Sequence, residues 1–172
     1  MATAEKIKTA LERTSKALTL RPALGRDTGI STATITDGLT CVVEEGKWKL
    51  TADMPEAVGG NAAGPSPGVY GRAAFGSCLA IGYMMQAARL GVAIKSLQVE
   101  VQADYDDGAL LGTVTGVYPG YLQVRYTVII QSDEPEEAIW KVLDEGDKHS
   151  PYLDVFSRGQ QCVREVKIIA SK

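Results

Sequence analysis

GGNAAGPSPGVYGRAAFGSCLAIGYMMQAARLG, residues 59–91, is the stretch from which the rest of the chain is read. A Gly/Pro loop (Gly59, Gly60, Gly64, Pro65, Pro67) leads into an apolar helix that Gly91 stops. Pro67 falls in the first helical turn, where its missing N–H costs nothing. Between Pro67 and Gly91 only Arg72, Gln86 and Arg89 carry strongly polar side chains. A helix apolar on nearly all sides must be covered on nearly all sides. Gly71, Ala73, Ala74, Gly76, Ser77, Ala80 and Gly82 let other backbones come close. Cys78 sits mid-helix, either as a small packing residue or as a thiol held in a dry pocket.

Strand patterns flank this helix. Upstream, Trp48, Leu50, Ala52 and Met54 alternate with Lys47, Lys49, Thr51 and Asp53, the period of a half-buried strand. That segment forms a hairpin with Leu39–Val43 around Glu44-Glu45-Gly46, and Ser31–Thr36 supplies a third short strand before a turn at Asp37-Gly38. Residues 3–18 read as a helix, with Ile7, Leu11 and Leu18 near helical spacing. Downstream, Leu97, Val99, Val101 and Ala103 share a face, and Asp106-Asp107-Gly108 signals a turn. Ala109–Val117 and Tyr121–Ile130 are expected to complete a second meander. Asp133 and Glu136 read as a capping box for a helix to about Asp144, and Ser150-Pro151 opens a short helix that Gly159 ends. A last strand is expected over Gln161–Ile169, with Cys162 packing in it as Cys41 packs beside Leu39 and Val43. The class is α+β: two antiparallel three-stranded meanders around a long buried central helix.

Composition narrows the functions. The 172 residues are 45% hydrophobic and 23% charged with a net charge of −3, an ordinary globular balance without the basic footprint of a nucleic-acid binder. The amino-terminal segment lacks an apolar signal core, and glycines and Arg72 interrupt the longest apolar run, against a membrane span; the cytoplasm is the expected location. Three cysteines and the single His149 have no metal-ligand spacing, so neither a metal site nor a disulfide framework is expected. The glycines of 59–68 lack the context of a phosphate loop.

Gly59-Gly60, the Pro65-x-Pro67 element and Ala73-Ala74-Phe75-Gly76-Ser77-Cys78-Leu79-Ala80, with the strand before them and the Lys148-His149-Ser150-Pro151 corner after, resemble the central region of the OsmC/Ohr family. These are the osmotically inducible and organic-hydroperoxide-resistance proteins of the oxidative stress response. The resemblance covers residues 31–172, leaving 1–30 as a helical extension. It implies an intertwined homodimer with a site at the subunit interface, built around the central-helix cysteine, here Cys78. It also implies an oxidoreductase without a cofactor: a thiol peroxidase whose thiolate attacks a hydroperoxide and whose sulfenic acid is resolved by a second cysteine.

The chain departs from that pattern at each supporting position. Gly68 stands where the peroxidases carry a Glu, Ser150 stands where the second cysteine is expected, and the supporting Arg of the first hairpin has no clear counterpart. A serine cannot resolve a sulfenic acid, so an external thiol is the expected resolving partner, Cys41 or Cys162 serving instead only if its Cα lies within about 7 Å of that of Cys78. Arg72, His149 and Ser150 are the supporting candidates, and Tyr70, Phe75, Tyr83 and Tyr152 the candidate pocket walls. Arg72 lies about 240° around the helix from Cys78, so it would serve a cysteine across a dimer interface rather than its own. Ordinary roles compete for each: an ion pair for Arg72, a surface or capping role for His149, an N-cap for Ser150, core packing for the aromatics. Two functional readings follow, reduction of organic hydroperoxides through Cys78, or binding of an apolar small molecule without redox turnover. A purely structural role would leave a helix-lined pocket without purpose.

Overall fold

A computed structural model describes residues 3–170. Helix α1 (Ala4–Leu20) starts where the Thr3 side chain accepts the Lys6 N–H, and it packs along the central helix. Strands β1 (Thr32–Ile35), β2 (Cys41–Glu45) and β3 (Trp48–Ala52) form an antiparallel sheet in that order. Helix α2 (Pro67–Leu90) follows, with proline in its first turn and Gly91 ending it at φ 72°, a backbone shape that favours glycine. Strands β4 (Ser96–Asp104) and β5 (Gln123–Gln131) pair antiparallel from Ser96↔Gln131 to Asp104↔Gln123. Helices α3 (Asp107–Leu111), α4 (Glu136–Lys148) and α5 (Pro151–Ser157) complete the α+β fold.

Phe75, Leu79, Tyr83 and Ala87 recur every four residues along α2 and form one buried stripe. The inward side chains of the second sheet, Val99, Val101, Val124, Tyr126 and Val128, cover it, and Val142 of α4 closes the core. The other side of α2 is open: Ile81 is 61% exposed, with Met84 and Met85 beside it. On the first sheet Ala52 is buried as the alternation predicts, but Trp48 and Leu50 of the same face are exposed, and Asp53, just past the strand and expected outward, is buried.

Hydrogen bonds account for the burial of Asp53. Its carboxylate accepts from the Thr40 hydroxyl (2.8 Å) and from the N–H groups of Met54 (2.7 Å), Asn61 (3.3 Å) and Ala63 (3.2 Å). Four donors satisfy the buried charge and fold the Gly/Pro loop back onto β3. Burial raises the cost of that charge, but the Thr40 hydroxyl and the three amides outweigh it and hold the carboxyl below its ordinary 3.8. Gly60 fits beneath this loop because any Cβ there would run into the Met54 carbonyl. The loop is thereby aimed into α2.

Three expected elements differ. Residues 109–117 are not a strand, so the second sheet has two strands among the described residues and not three. Asp106 accepts the N–H groups of Gly108 (2.7 Å) and Ala109 (3.2 Å) and so starts a helical turn, and Gly112 and Gly116 then adopt φ of 70° and 76°. An aspartate that caps a turn competes with strand pairing. Residues 161–169 form no strand and pair with nothing among the described residues, and Cys162, Val163 and Ile168 are exposed rather than packed. Asp133 does not cap α4: Pro135 holds that position while Asp133 pairs with Lys95 at 2.5 Å.

Candidate functional site

Cys78 lies three turns into α2 and is half-buried; like Cys41 and the exposed Cys162 it is a free thiol. Its Sγ is 3.7 Å from the Ser150 Oγ. The local sequence puts Ser150 there: it caps α5, accepting the Leu153 N–H at 3.3 Å, with Pro151 at the first helical position. Ser150 is buried. Position 150, where a second thiol was expected from the resemblance, therefore does face the sulfur of position 78.

The corner that carries Ser150 is fixed from below. The Tyr83 hydroxyl donates to Asp147 Oδ1 (2.5 Å) and the Tyr126 hydroxyl to Asp147 Oδ2 (3.1 Å). Gly146 lies flat against the Tyr83 ring, in space that any Cβ would enter. Burial and the bond to the Asp147 carboxylate push the Tyr83 phenol well above its ordinary 10.0, and burial followed by the same charge pushes Tyr126 up. Tyr83 is a core residue that holds α4 in place.

An aromatic cavity of about 510 Å³ opens between β5 and α5. Phe75, Tyr121, Tyr126, Leu153 and Phe156 line it. Phe156 stacks on Tyr121 with ring centres 6.1 Å apart and tilts against Phe75 at 4.8 Å. Cys78 is outside this lining, though Ser150 and Leu153 share the first turns of α5.

The other candidates are dispersed. Tyr70 donates to the Thr51 carbonyl at 2.7 Å and clips α2 to β3, and Tyr152 lies on the exposed side of Phe156. His149 is exposed, its Nδ1–H donating to the Glu145 carbonyl at 2.9 Å. Arg72 points away from Cys78, its Nη1 3.5 Å from the Tyr121 hydroxyl. Arg125 and Arg158 are engaged by Asp104 and Asp154. Among the described residues no positive group bonds to the Cys78 sulfur. Tyr121, Asp147 and Asp53 were not singled out from sequence. Asp147 lies beyond the expected end of this helix near Asp144, and it is the extension of α4 to Lys148 that brings it to the tyrosines.

Comparison with known proteins agrees with this architecture. The model of OsmC-like protein matches residues 59–163. An OsmC-like protein from Mycoplasma pneumoniae superposes with a TM-score of 0.65 at 17% identity, over 76% of this chain and 88% of that one. An organic hydroperoxide resistance protein OsmC from Legionella pneumophila gives 0.56 at 17% identity, over 76% and 89%. An OsmC-like hydroperoxide resistance protein from a Jannaschia species gives 0.52 at 18% identity, over 81% and 91%. At such identities the likeness shows the fold alone. No curated protein matches the sequence. With more than half of its residues matched by the family model, the chain belongs to the family of OsmC-like proteins.

Proposed function

We propose that the chain reduces organic hydroperoxides through Cys78, with an external thiol as reductant. The observation that carries this reading is the 3.7 Å approach of Cys78 to Ser150, which sets a half-buried sulfur against a hydroxyl at the position of a resolving cysteine. The Cys78 thiolate attacks the outer peroxide oxygen; the O–O bond breaks, the sulfur is oxidised to a sulfenic acid, and the alkoxide takes a proton to leave as an alcohol. Because Ser150 has no thiol, an external thiol displaces water from the sulfenic acid to give a mixed disulfide. A second external thiol then releases Cys78 as the thiol. A reducing compartment such as the cytoplasm suits such a cycle.

The protomer's surface supports a homodimer around this site. The chain exposes 13403 Å², whereas a compact monomer of its 18.3 kDa mass exposes about 8,100 Å². The excess exceeds what large obligate interfaces bury, and it includes Ile81, Met84, Met85, Trp48, Val163 and Ile168. A partner copy would cover that apolar surface and supply the cation that the thiolate needs.

The test is consumption of cumene hydroperoxide with dithiothreitol as reductant. Turnover that Cys78→Ser abolishes supports the reading, with Ser150→Cys forming an intramolecular disulfide after the first oxidation. Equal consumption by Cys78→Ser and the unaltered chain would exclude it. A second reading, binding of an apolar molecule without turnover, is favoured by one observation: the aromatic cavity is formed without Cys78.

A further inference from the structure

Arg72 is half-buried and has no ion-pair partner among the described residues. Its one side-chain contact, the Tyr121 hydroxyl at 3.5 Å, is long, and Tyr121 gives its own proton to the Gly68 carbonyl at 2.8 Å. Most of the five guanidinium donors are therefore unspent. A partly desolvated cation in that state favours an anion.

The space available to such an anion is defined by a missing side chain. A Cβ on Gly68 would lie 3.5 Å from Arg72 Nη1, 3.7 Å from the Tyr121 hydroxyl oxygen and 3.9 Å from Ser66 Oγ. Ser66 makes no capping hydrogen bond with its side chain, so its hydroxyl is free as well. Three polar groups thus converge above Gly68 without a carboxylate of this chain between them. Tyr121 belongs to both this cluster and the aromatic cavity, joining a polar end to apolar walls of Phe75, Leu153 and Phe156.

We propose that the Gly68–Arg72–Tyr121 cluster is an anion subsite and that, with the adjoining cavity, it binds an amphipathic carboxylate whose apolar body lies against Phe75 and Phe156. The unspent guanidinium N–H groups of Arg72, with the Ser66 hydroxyl as a second donor, balance a single negative charge and match the two oxygens of a carboxylate, while Tyr121, its proton spent on Gly68, forms the wall between this cluster and the cavity. A cavity of about 510 Å³ falls within the usual range for small-ligand sites, roughly 300–1,000 Å³. This inference rests on the ligand-binding reading of the cavity and goes past it by assigning the head group and its anchor.

The experiment titrates the full chain with decanoate and, separately, with decan-1-ol, which keeps the tail and lacks the charge. Decanoate should bind roughly ten- to hundred-fold more tightly, the range for a hydrogen-bonded charge. Arg72→Gln should remove that preference and leave decanol affinity unchanged. Gly68→Glu should do the same by placing an internal carboxylate four residues before Arg72, and it should raise the thermal midpoint, which separates occupancy of the subsite from misfolding. Equal binding of the two probes, or a preference that survives Arg72→Gln, would overturn the anion assignment and leave the cavity reading standing. Binding of neither probe would overturn both.

Discussion

At Cys78 the proposed chemistry turns on a single neighbour. The buried Ser150 hydroxyl is held by its own cap bond to Leu153, and its geometry lets it donate a proton to an ionised sulfur at 3.7 Å. It gives the sulfur a polar contact without giving it a redox partner. Asp53 is the other residue on which the site depends, because it shapes the loop that launches α2. Its carboxyl titrates below the ordinary 3.8 in the folded chain, so its contribution to stability is complete above that pH. That contribution is lost as pH falls from 3.8 through the lower folded value. Thermal midpoints measured down the acid limb should therefore fall more steeply for the unaltered chain than for Asp53→Asn, which should be less stable at neutral pH. Parallel acid limbs would contradict the role given to this carboxylate.

Among the elements, the packing of α4 on α2 sets the site's geometry. Gly146 meets the Tyr83 ring with no room for another carbon, and Tyr83 in turn anchors Asp147 three residues before Ser150. Gly146→Ala should destabilise the fold by about 1–3 kcal/mol, the usual cost of overpacking, despite alanine's better helix propensity. Denaturant unfolding measures this, and an unchanged midpoint would show that α4 sits farther from α2. Elements with a local cause were legible in the sequence. Pro67 and Gly91 bracket α2, Ser150-Pro151 starts α5, and the alternation of 97–103 gives β4. The Ser150 cap and the cysteine on the central helix were likewise readable, and with them half of the candidate site. Elements decided by distant partners were not. Asp106 spends its carboxylate on a helical turn rather than a hairpin, and Asp53 is buried by donors up to thirteen residues away. Arg72 meets Tyr121 across forty-nine residues of sequence, a pairing that no local pattern marks.

The molecule as a whole is open for its mass. An exposed segment over 161–169 that pairs with no strand among the described residues, a first sheet with Trp48 exposed and a central helix bare along Ile81 all leave apolar surface uncovered within the chain. Sedimentation equilibrium at micromolar concentration should return twice the 18.3 kDa chain mass. A monomer mass would leave Cys78 without a source for the cation it needs. The most direct measurement concerns the sulfur itself: intact-mass analysis of the protein after one equivalent of cumene hydroperoxide, with peptide mapping. The account predicts one added oxygen on Cys78, removed by a thiol, with Cys41 and Cys162 unchanged. A mass that stays unaltered, or oxidation confined to the exposed Cys162, would contradict it.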